Sequence, residues 1–354
     1  MTSPALPFPL LQALVGDEEM AAFFSNEAEL AAMLQTEAAL AEAEAEIGLI
    51  AEEAAYRIAQ ACRAFQPDWN ALAKGLAQDG VVVPELVKQL RAAVGEPHAS
   101  AVHLGATSQD IVDTGLVLRL KGATALLLQR VEALVLTFHE LKRRDGATPL
   151  MAHTRMQQAL PFTAADKIDT WIGPLDRHGE TLREIAPRLL SLQLGGPIGT
   201  RRELKGHGDA VADAMADRLD LGYAPSWHSQ RDRIGEFASW LSLLSGTLGK
   251  IGQDIALMAQ NEVGEVRLAS GGGSPAMPHK SNPVPAEVLV TLARFNAGLL
   301  GTLHQALVHE NERSGAAWTL EWMVLPQMVV AAGAGLNHAH ALLQSLTFQP
   351  SSAR

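Results

Sequence analysis

The stretch Ser270-Gly-Gly-Gly-Ser-Pro-Ala-Met-Pro-His-Lys-Ser-Asn-Pro283 is the part of the sequence that best indicates fold and function. Three consecutive glycines adopt backbone angles that other residues resist, so we expect a loop whose amides can face a ligand. Asn282 is a good helix N-cap and Pro283 suits the first helical position, so a helix is predicted to begin here. Lys280, the Asn282 amide and the positive end of that helix would then converge and favour a bound carboxylate.

Nucleotide and metal sites are not predicted. A phosphate-binding loop needs Gly directly before its Lys, whereas His279 precedes Lys280. The glycines within 192–200 do not form a dinucleotide fingerprint, because no strand is predicted before them. The pair His309-Glu310 lacks the second histidine of a zinc-binding helix. We therefore expect a protein that acts without a cofactor and without a metal ion.

The composition is that of a large, helix-rich globular protein. The chain has 354 residues, of which 47% are apolar and 19% charged, and this balance excludes intrinsic disorder. Aromatic residues make up only 5%, while alanine and leucine are abundant, which favours helices over strands. At this length we expect two or three packed units.

The charge is concentrated at the amino terminus. The formal net charge is −11, and residues 1–56 contain eleven acidic side chains and no Lys or Arg. An acidic amino-terminal unit, followed by a remainder in which acidic and basic side chains are equal in number, argues against a nucleic-acid partner. The single cysteine, Cys62, fits a reducing compartment, and residues 1–11 lack the basic region of a signal peptide. We therefore expect a cytoplasmic protein.

One long segment, 323–353, has no charged side chain, so its composition must be compared with that of a membrane-spanning helix. A span needs about 20 continuous apolar residues. Here the run is interrupted by polar residues and a proline, namely Pro326, Gln327, Asn337, His338, His340 and Gln344. We therefore expect a helix buried in an oligomer and no membrane partner.

Apolar residues recur at helical spacing along most of the chain, which predicts an all-α fold. No strand-like alternation of useful length is found. The predicted amino-terminal helices cover 30–45, 52–65 and 84–94, and the predicted long helices cover 110–144, 162–192, 233–261 and 285–312. The helix after Pro285 carries only Glu287 and Arg294 as charges between residues 286 and 307, so most of its sides must be buried. We expect long central helices that form a bundle completed by neighbouring subunits.

The glycine stretch resembles the Gly-Ser-Ser-x-x-Met-Pro-x-Lys-x-Asn-Pro loop of the fumarase/aspartase superfamily. That superfamily includes adenylosuccinate lyase, argininosuccinate lyase and the bacterial 3-carboxy-cis,cis-muconate cycloisomerases. Pro275 replaces the second serine of the loop, and seven positions match: Gly273, Ser274, Met277, Pro278, Lys280, Asn282 and Pro283. The resemblance implies that Ser274 moves a proton, that Lys280 is catalytic and that Met277 and Asn282 contact the substrate.

A second matching segment runs from His103 to Thr114. It is similar to the first shared segment of the superfamily, in which Thr and Ser hydroxyls bind a substrate carboxylate. The resemblance therefore implies that Thr107 and Ser108 bind substrate and that His103 is catalytic. The alternative is that Thr107 and Ser108 are only helix caps.

A third matching segment is Ala152-His-Thr-Arg-Met-Gln-Gln-Ala-Leu-Pro161, which looks like the family's Gly-Arg-Thr-His-x-Gln-x-Ala-x-Pro. Thr154 and Gln157 agree with the family pattern. His153 stands where the family usually has Arg, and Arg155 stands where the lyases have His. The resemblance implies that all four residues bind substrate, and the replacement by Arg155 bears on the reaction.

A fourth segment, Trp227-His-Ser-Gln-Arg-Asp-Arg233, is similar to the Gln-Arg-Asp-Arg segment of adenylosuccinate lyase and the cycloisomerases. It implies that Gln230 and Arg231 contact substrate, since Arg offers a fork of donors that fits carboxylates. The alternative is a solvated ion network on the surface. Smaller matches cover 192–200 and 311–322, and the latter, which contains Arg313 as a predicted substrate ligand, looks most like the cycloisomerases.

The resemblance extends over most of residues 25–345 and implies a two-domain, fumarase/aspartase-like fold. An amino-terminal helical domain is expected over 1–104 and the central long-helix bundle over 105–348. The small carboxy-terminal domain of longer relatives is expected to be absent or vestigial, with 349–354 as a tail. The resemblance also implies a homotetramer whose sites are shared between subunits.

The expected reaction is lactonisation of 3-carboxymuconate to 4-carboxymuconolactone in aromatic catabolism. The substrate is a small tricarboxylate, and Arg155, Arg231 and Lys280 could meet its three carboxylates. The alternatives are a fumarate-releasing lyase like adenylosuccinate lyase, a cycloisomerase for a sulfo-substituted muconate, or an inactive structural bundle. The replacement by Arg155 and the segment 310–322 speak against the first alternative, and the intact catalytic positions speak against the last.

Overall fold

The computed structural model describes residues 9–269, 272–273 and 281–351, and within them the chain is almost entirely helical. The helices are α1 (Pro9–Val15), α2 (Glu18–Ala22), α3 (Asn26–Glu46), α4 (Glu52–Arg63), α5 (Trp69–Asp79), α6 (Val83–Val94), α7 (Ser108–Asp145), α8 (Ala164–Leu189), α9 (Gly208–Leu219), α10 (Asp232–Met258), α11 (Val284–Gln305) and α12 (Gly315–Ser345). The strands are β1 (Pro149–Thr154), β2 (Gln157–Thr163), β3 (Val266–Leu268), β4 (Gly272–Gly273), β5 (Ser281–Asn282) and β6 (Leu346–Phe348). The predicted all-α fold is confirmed.

The predicted long helices are confirmed with small changes at their ends, as α7, α8 and α10. The helix predicted over 285–312 ends at Gln305 as α11, because a turn and an irregular segment precede α12. Helices α5 and α9 were not predicted. Although the sequence shows no strand-like alternation of useful length, β1 and β2 form an antiparallel hairpin.

Five helices, α7, α8, α10, α11 and α12, form a central bundle around one continuous apolar core. Trp171 and Trp240 are fully buried in this core, and each indole N–H has a partner, as a buried tryptophan requires. Trp171 Nε1 donates to Asp254 Oδ2 at 2.8 Å, and Trp240 Nε1 donates to the His178 carbonyl at 2.9 Å. The core is therefore closed to water without leaving these polar groups unpaired.

Helices α10 and α11 approach each other closely through small residues. A Cβ atom added at Gly249 would lie 2.4 Å from Ala293 Cβ, which is too short for any real contact. Glycine at this position therefore lets the two backbones come together.

Helix α7 sets the length of the molecule. Its 38 residues extend over about 55 Å at 1.5 Å per residue. The Ser108 end of α7 packs against the segments 192–200, 226–233 and 309–322. The Asp145 end lies beside the β1–β2 hairpin and the β3–β6 pair, where Phe348 N–H donates to Asp145 Oδ2 at 3.0 Å and Met151 N–H donates to Glu265 Oε1 at 2.9 Å. The Ser108 end and the Asp145 end of α7 therefore lie in different surroundings.

The amino-terminal helices form a second apolar cluster between α3, α4 and α6. Its most buried members include Ile58 of α4 and Leu86 and Leu90 of α6, and the latter two stand four residues apart on one helix face. Helix α2 instead inserts Met20 into the core of the central bundle. The division of the chain at residue 104 stays a prediction, and apolar contacts cross it.

Two helices, α11 and α12, are long and apolar enough to cross a membrane by length and composition alone. In the most apolar window of α12, 67% of the residues are buried inside the chain, as in the core helix of a soluble protein. In α11 that fraction is only 33%, so much of its apolar surface is uncovered in one chain.

A buried ion triad joins three helices at the Ser108 end. Arg231 precedes α10, and its side chain is completely buried. Its Nη1 lies 2.6 Å from Asp113 Oδ2 of α7, and its Nε lies 3.0 Å from Glu321 Oε2 of α12. Its guanidinium also lies 4.7 Å from the centre of the Trp227 ring. Because each charge in the triad has a partner, the burial of three charges is tolerated.

We expect Arg231→Leu to reduce the free energy of unfolding by about 3–5 kcal/mol, because Asp113 and Glu321 would then face each other unpaired. The matched control is Arg188→Leu, which removes an arginine from an ion pair whose side chains are 57% and 42% exposed. That loss should stay below about 1 kcal/mol. Urea unfolding of both variants measures the difference, and equal losses would contradict the stabilising role of the triad.

Candidate functional site

Asp110 holds together the turn at the Ser108 end. Its Oδ1 accepts hydrogen bonds from the N–H of Gly195 at 2.7 Å and from His228 Nε2 at 3.0 Å. Its Oδ2 accepts from the N–H of Gly196 at 2.9 Å and from the N–H of Thr107 at 3.0 Å. The carboxylate is completely buried, so these donors replace its water. Three segments distant in sequence are thereby fixed around the first turn of α7.

Glycine is required where the segment 192–200 meets this carboxylate. Gly196 has φ +68°, a left-handed conformation that L side chains rarely adopt. A Cβ atom added at Gly195 would lie 2.3 Å from Ser226 Oγ. These two residues therefore bring consecutive backbone N–H groups against Asp110, and this packing positions the neighbouring Pro197 carbonyl.

Arg313 lies beside the predicted hydroxyl ligands. Its Nε donates to Gln109 Oε1 at 2.8 Å, and its Nη2 lies 3.4 Å from Thr107 Oγ1 and 3.2 Å from the Pro197 carbonyl. Within the described ranges all its hydrogen-bond partners are uncharged, and no carboxylate pairs with it. A partly buried arginine without a counter-ion is a strong attractor for a carboxylate. Ser108 is half-buried next to Thr107.

Thr107 is the N-cap of α7, as the sequence predicted, and forms a capping box with Asp110. Capping therefore explains its position in the fold. The same turn places its hydroxyl beside Arg313, so the capping and substrate-binding interpretations are compatible.

His103 precedes this turn and has a left-handed backbone, with φ +63°. Its Nδ1 lies 2.6 Å from Oε1 of Glu37, a buried residue of α3. The predicted catalytic histidine therefore lies at the Ser108 end, where the charge of Asp110 also acts on it.

The fourth segment is placed differently from what the sequence predicted. Arg231 points into the protein, where Asp113 and Glu321 occupy its guanidinium. Contact with a substrate carboxylate would require displacing both partners, so we correct its role to that of an internal counter-ion. Gln230 is exposed, and its Nε2 lies 3.4 Å from the Ser226 carbonyl. The alternative of a solvated surface network is equally incorrect for Arg231, since no part of its side chain reaches solvent.

The third segment forms the β1–β2 hairpin at the Asp145 end of α7. His153, Thr154, Arg155 and Gln157 are all exposed. Arg155 and Met156 form the two-residue turn, with φ +49° and +65°. Such hairpin turns favour Gly, Asn or Asp, so these two residues hold the turn at a cost of about 1 kcal/mol or more each. Strain of this kind is typical of functional positions.

Of the predicted residues in the glycine stretch, Ser274, Met277 and Lys280 lie outside the described residues. Asn282 is half-buried and pairs with Gly272 in the short β4–β5 ladder. The prediction that Asn282 caps the following helix is wrong. Because Asn282 is held extended in that ladder, Pro283 occupies the N-cap position and α11 begins at Val284.

The predicted site residues thus fall into two groups. His103, Thr107, Ser108 and Arg313 lie together at the Ser108 end. The hairpin residues and Asn282 lie toward the other end of the bundle, where α10 stops and α11 starts, and α7 keeps the two groups about 50 Å apart.

The sequence did not single out Glu37, Gln109 or His228 as members of the site. Gln109 Nε2 donates to the His228 carbonyl at 2.9 Å and links two of the matching segments. Glu37 stands three residues after Leu34, on the edge of the apolar stripe of α3, and this spacing is the signal that could have found it. In the part of the chain that the structure describes, no three His, Cys, Asp or Glu side chains form a group that could hold a metal ion.

The chain is similar to known proteins over most of its length. A family model described as lyase matches residues 15–296. The 3-carboxy-cis,cis-muconate cycloisomerase of Pseudomonas aeruginosa is 44% identical over 334 residues, which are 92% of this chain and 73% of that protein.

Two solved structures are also similar to this chain in fold and sequence. The 3-carboxy-cis,cis-muconate lactonizing enzyme from Pseudomonas putida has a TM-score of 0.91 and 41% identity, over 97% of this chain and 78% of that one. A fumarate lyase from a Mesorhizobium species has a TM-score of 0.89 and 35% identity, over 94% of this chain and 76% of that one. From the family match and these relatives, the chain belongs to the lyase family of the fumarase/aspartase superfamily.

Proposed function

We propose that the protein is a 3-carboxy-cis,cis-muconate cycloisomerase of aromatic catabolism that acts in the cytoplasm. The observation that carries the proposal is the Ser108 end, where Arg313 lies against Thr107 and Gln109 without a carboxylate partner among the described residues. This arrangement fits one carboxylate of a small polyanionic substrate. The 44% identical relative bears the same activity in its name.

The reaction joins a substrate carboxylate to an alkene carbon of the same molecule. One carboxylate oxygen forms the new C–O bond, and the alkene electron pair moves toward the neighbouring carboxylate, which becomes a doubly charged aci-carboxylate. A proton then adds to the carbon next to it, and the lactone results without loss of any other atom. Three ionised carboxylates become two, so one proton is taken up in each turnover.

Fixed positive groups are needed where the second negative charge forms. We assign the positive charge to Lys280 and a neutral hydrogen-bond donor to the amide of Asn282, with Ser274 as the group that delivers the proton to carbon. Preorganised donors at such a charge contribute about 3–4 kcal/mol each by mutational analogy. An unperturbed hydroxyl is a poor acid and base, so Ser274 depends on the same positive field.

Arg155 distinguishes lactonisation from amine or water elimination. In the reverse of lactonisation the leaving group is a carboxylate, whose pKa is about 4, so it departs without protonation by an acid. A histidine at the hairpin is then dispensable, and an arginine that holds an additional carboxylate becomes useful. The fumarate-releasing alternative, favoured by the Mesorhizobium relative, would need an acid at the position that Arg155 occupies.

The site needs more than one chain. The helix α7 separates the hairpin with Arg155 from Thr107 and Arg313 by about 50 Å, whereas a small substrate spans roughly 10 Å. The exposed hairpin tip of one chain would therefore meet the Ser108 end of another. The uncovered apolar surface of α11 supports the same conclusion, because another copy can bury it. We propose a homotetramer whose sites each combine segments of three subunits.

Purified protein should remove the diene absorbance of 3-carboxy-cis,cis-muconate and take up about one proton per molecule, measured with a pH indicator in weak buffer. Ser274→Ala should reduce turnover at least 100-fold with an unchanged circular dichroism spectrum. No loss of absorbance with folded wild-type protein, or release of fumarate from adenylosuccinate, would contradict the proposal. A sulfo-substituted muconate should be tested in parallel. Its turnover, compared with that of the carboxy-substituted substrate, shows whether the site prefers a carboxylate or a sulfonate as the third anionic group.

Subunit mixing tests the shared site. Arg313→Ala and Arg155→Ala should each be nearly inactive, because each removes one cation that meets the substrate. Unfolded together and refolded as hybrids, they should recover activity at about a quarter of the sites, since one chain can supply Arg313 and another Arg155.

The control for this experiment is a mixture of Arg313→Ala with Thr107→Ala, whose changes lie at the same end of the chain. No recovery is expected there, because every Ser108 end then carries one change. Recovery in neither mixture would mean that one chain supplies both cations to its own site.

A further inference from the structure

The contact between His103 and Glu37 has features that a capped turn does not require. His103 adopts a left-handed backbone, and its side chain is 15% exposed, while the Glu37 side chain is completely buried. The 2.6 Å contact joins Nδ1 of the ring to Oε1 of the carboxylate. Across the described ranges the opposite ring nitrogen, Nε2, makes no hydrogen bond within the chain. Among the described residues the ring is therefore bound through Nδ1, and Nε2 has no hydrogen-bond partner.

Three charged groups face this imidazole from the elements packed around it: Glu37 from α3, Asp110 from α7 and Arg91 from α6. Burial alone would lower the pKa of His103, and Arg91 acts in the same direction. The two carboxylates outweigh both effects, so the pKa of His103 is raised above its ordinary value. The folded protein thus favours the imidazolium, in which both ring nitrogens are donors.

A second buried carboxyl on α3 lies behind this pair. Glu44 is completely buried, and neither of its oxygens has a hydrogen-bond partner. Burial, and then the proximity of Glu37, raise the pKa of Glu44 to about 8, so it is mostly protonated at neutral pH. Glu37, unlike Glu44, has a hydrogen-bond partner, the imidazole ring of His103.

We propose that Glu37 is a positioning residue, which binds Nδ1 of His103 and so directs Nε2–H toward a substrate carboxylate beside Thr107 and Arg313. The proposal rests on the proposed function, because it takes His103 as a group that meets the substrate. Glu37 itself does not touch the substrate, since its side chain is shielded by the histidine ring and by α3. A purely structural ion pair is the competing interpretation.

The test replaces Glu37 by glutamine, which keeps the shape of the side chain and removes its charge. A raised pKa of His103 keeps the imidazolium present to higher pH, and loss of the charge lowers that pKa. The alkaline limb of the kcat/KM profile should therefore move to lower pH by about one unit or more in Glu37→Gln. The matched control, Glu44→Gln, removes a buried carboxyl of the same helix that is not among the charged groups facing His103, and should leave the limb unmoved.

Either an unmoved limb in Glu37→Gln, or the same shift in Glu44→Gln, would overturn the proposal. If Glu37→Gln does not fold, Glu37→Asp retains the charge and lengthens the contact, and it should give a smaller shift in the same direction. A folded Glu37→Asp whose profile equals that of the wild type would also overturn it.

A measurement without substrate separates this proposal from the proposed function. A double-mutant cycle of Glu37→Gln and His103→Asn reports their coupling in urea unfolding. Because the pKa of His103 is raised by folding, its stabilising contribution is complete below the unfolded pKa of about 6.5 and is lost as the pH rises through the folded value. The coupling should therefore be larger at pH 6 than at pH 9. Absence of coupling at pH 6 would overturn the positioning role even if the enzyme turns over its substrate, whereas coupling without turnover would refute only the proposed function.

Discussion

Two buried carboxylates near the start of α7 hold the Ser108 end of the molecule in place. Asp110 binds two backbone N–H groups of the segment 192–200 and the ring of His228, and Asp113, one turn further, binds Arg231. Buried charges are tolerated only when they are fully paired, so these contacts fix the start of α7 and the segments 192–200 and 226–233 in one arrangement. Both carboxylates are satisfied internally, and neither of them pairs with Arg313, whose hydrogen-bond partners among the described residues are uncharged.

The second constraint is the length of an uninterrupted helix. A 38-residue helix is stiff over about 55 Å, and it places the strained hairpin tip at one end and the hydroxyl turn at the other. Chemistry that needs both must therefore take place between chains. The low burial of α11 within one chain fits this arrangement, because the apolar surface that would be costly to expose in a monomer is available to another copy.

The sequence predicted the long helices well, because their apolar residues recur over many turns and the signal accumulates. It did not predict the hairpin, since β2 is exposed along most of its length and β1 has only Leu150 buried, so neither strand shows a clear apolar alternation. The role of Arg231 was wrong because its partners, Asp113 and Glu321, lie about a hundred residues away and are invisible to a local motif. Asn282 was assigned as a cap on propensity alone, and strand pairing overrode that propensity. Glu37 was missed because its burial, which it shares with Glu44 among the glutamates of α3, depends on helices that pack against α3 from elsewhere in the chain.

The central claim, that the Ser108 end of one chain meets the hairpin tip of another, can be tested directly by cross-linking. In a Cys62→Ala background, single cysteines at Ser108 and Arg155 in the same chain would be treated with a short bifunctional maleimide of about 10 Å reach. The predicted result on a denaturing gel is covalent dimers and higher multimers, because each link joins two chains. A product that retains the mass of a single chain, with both thiols consumed in one link, would contradict the claim.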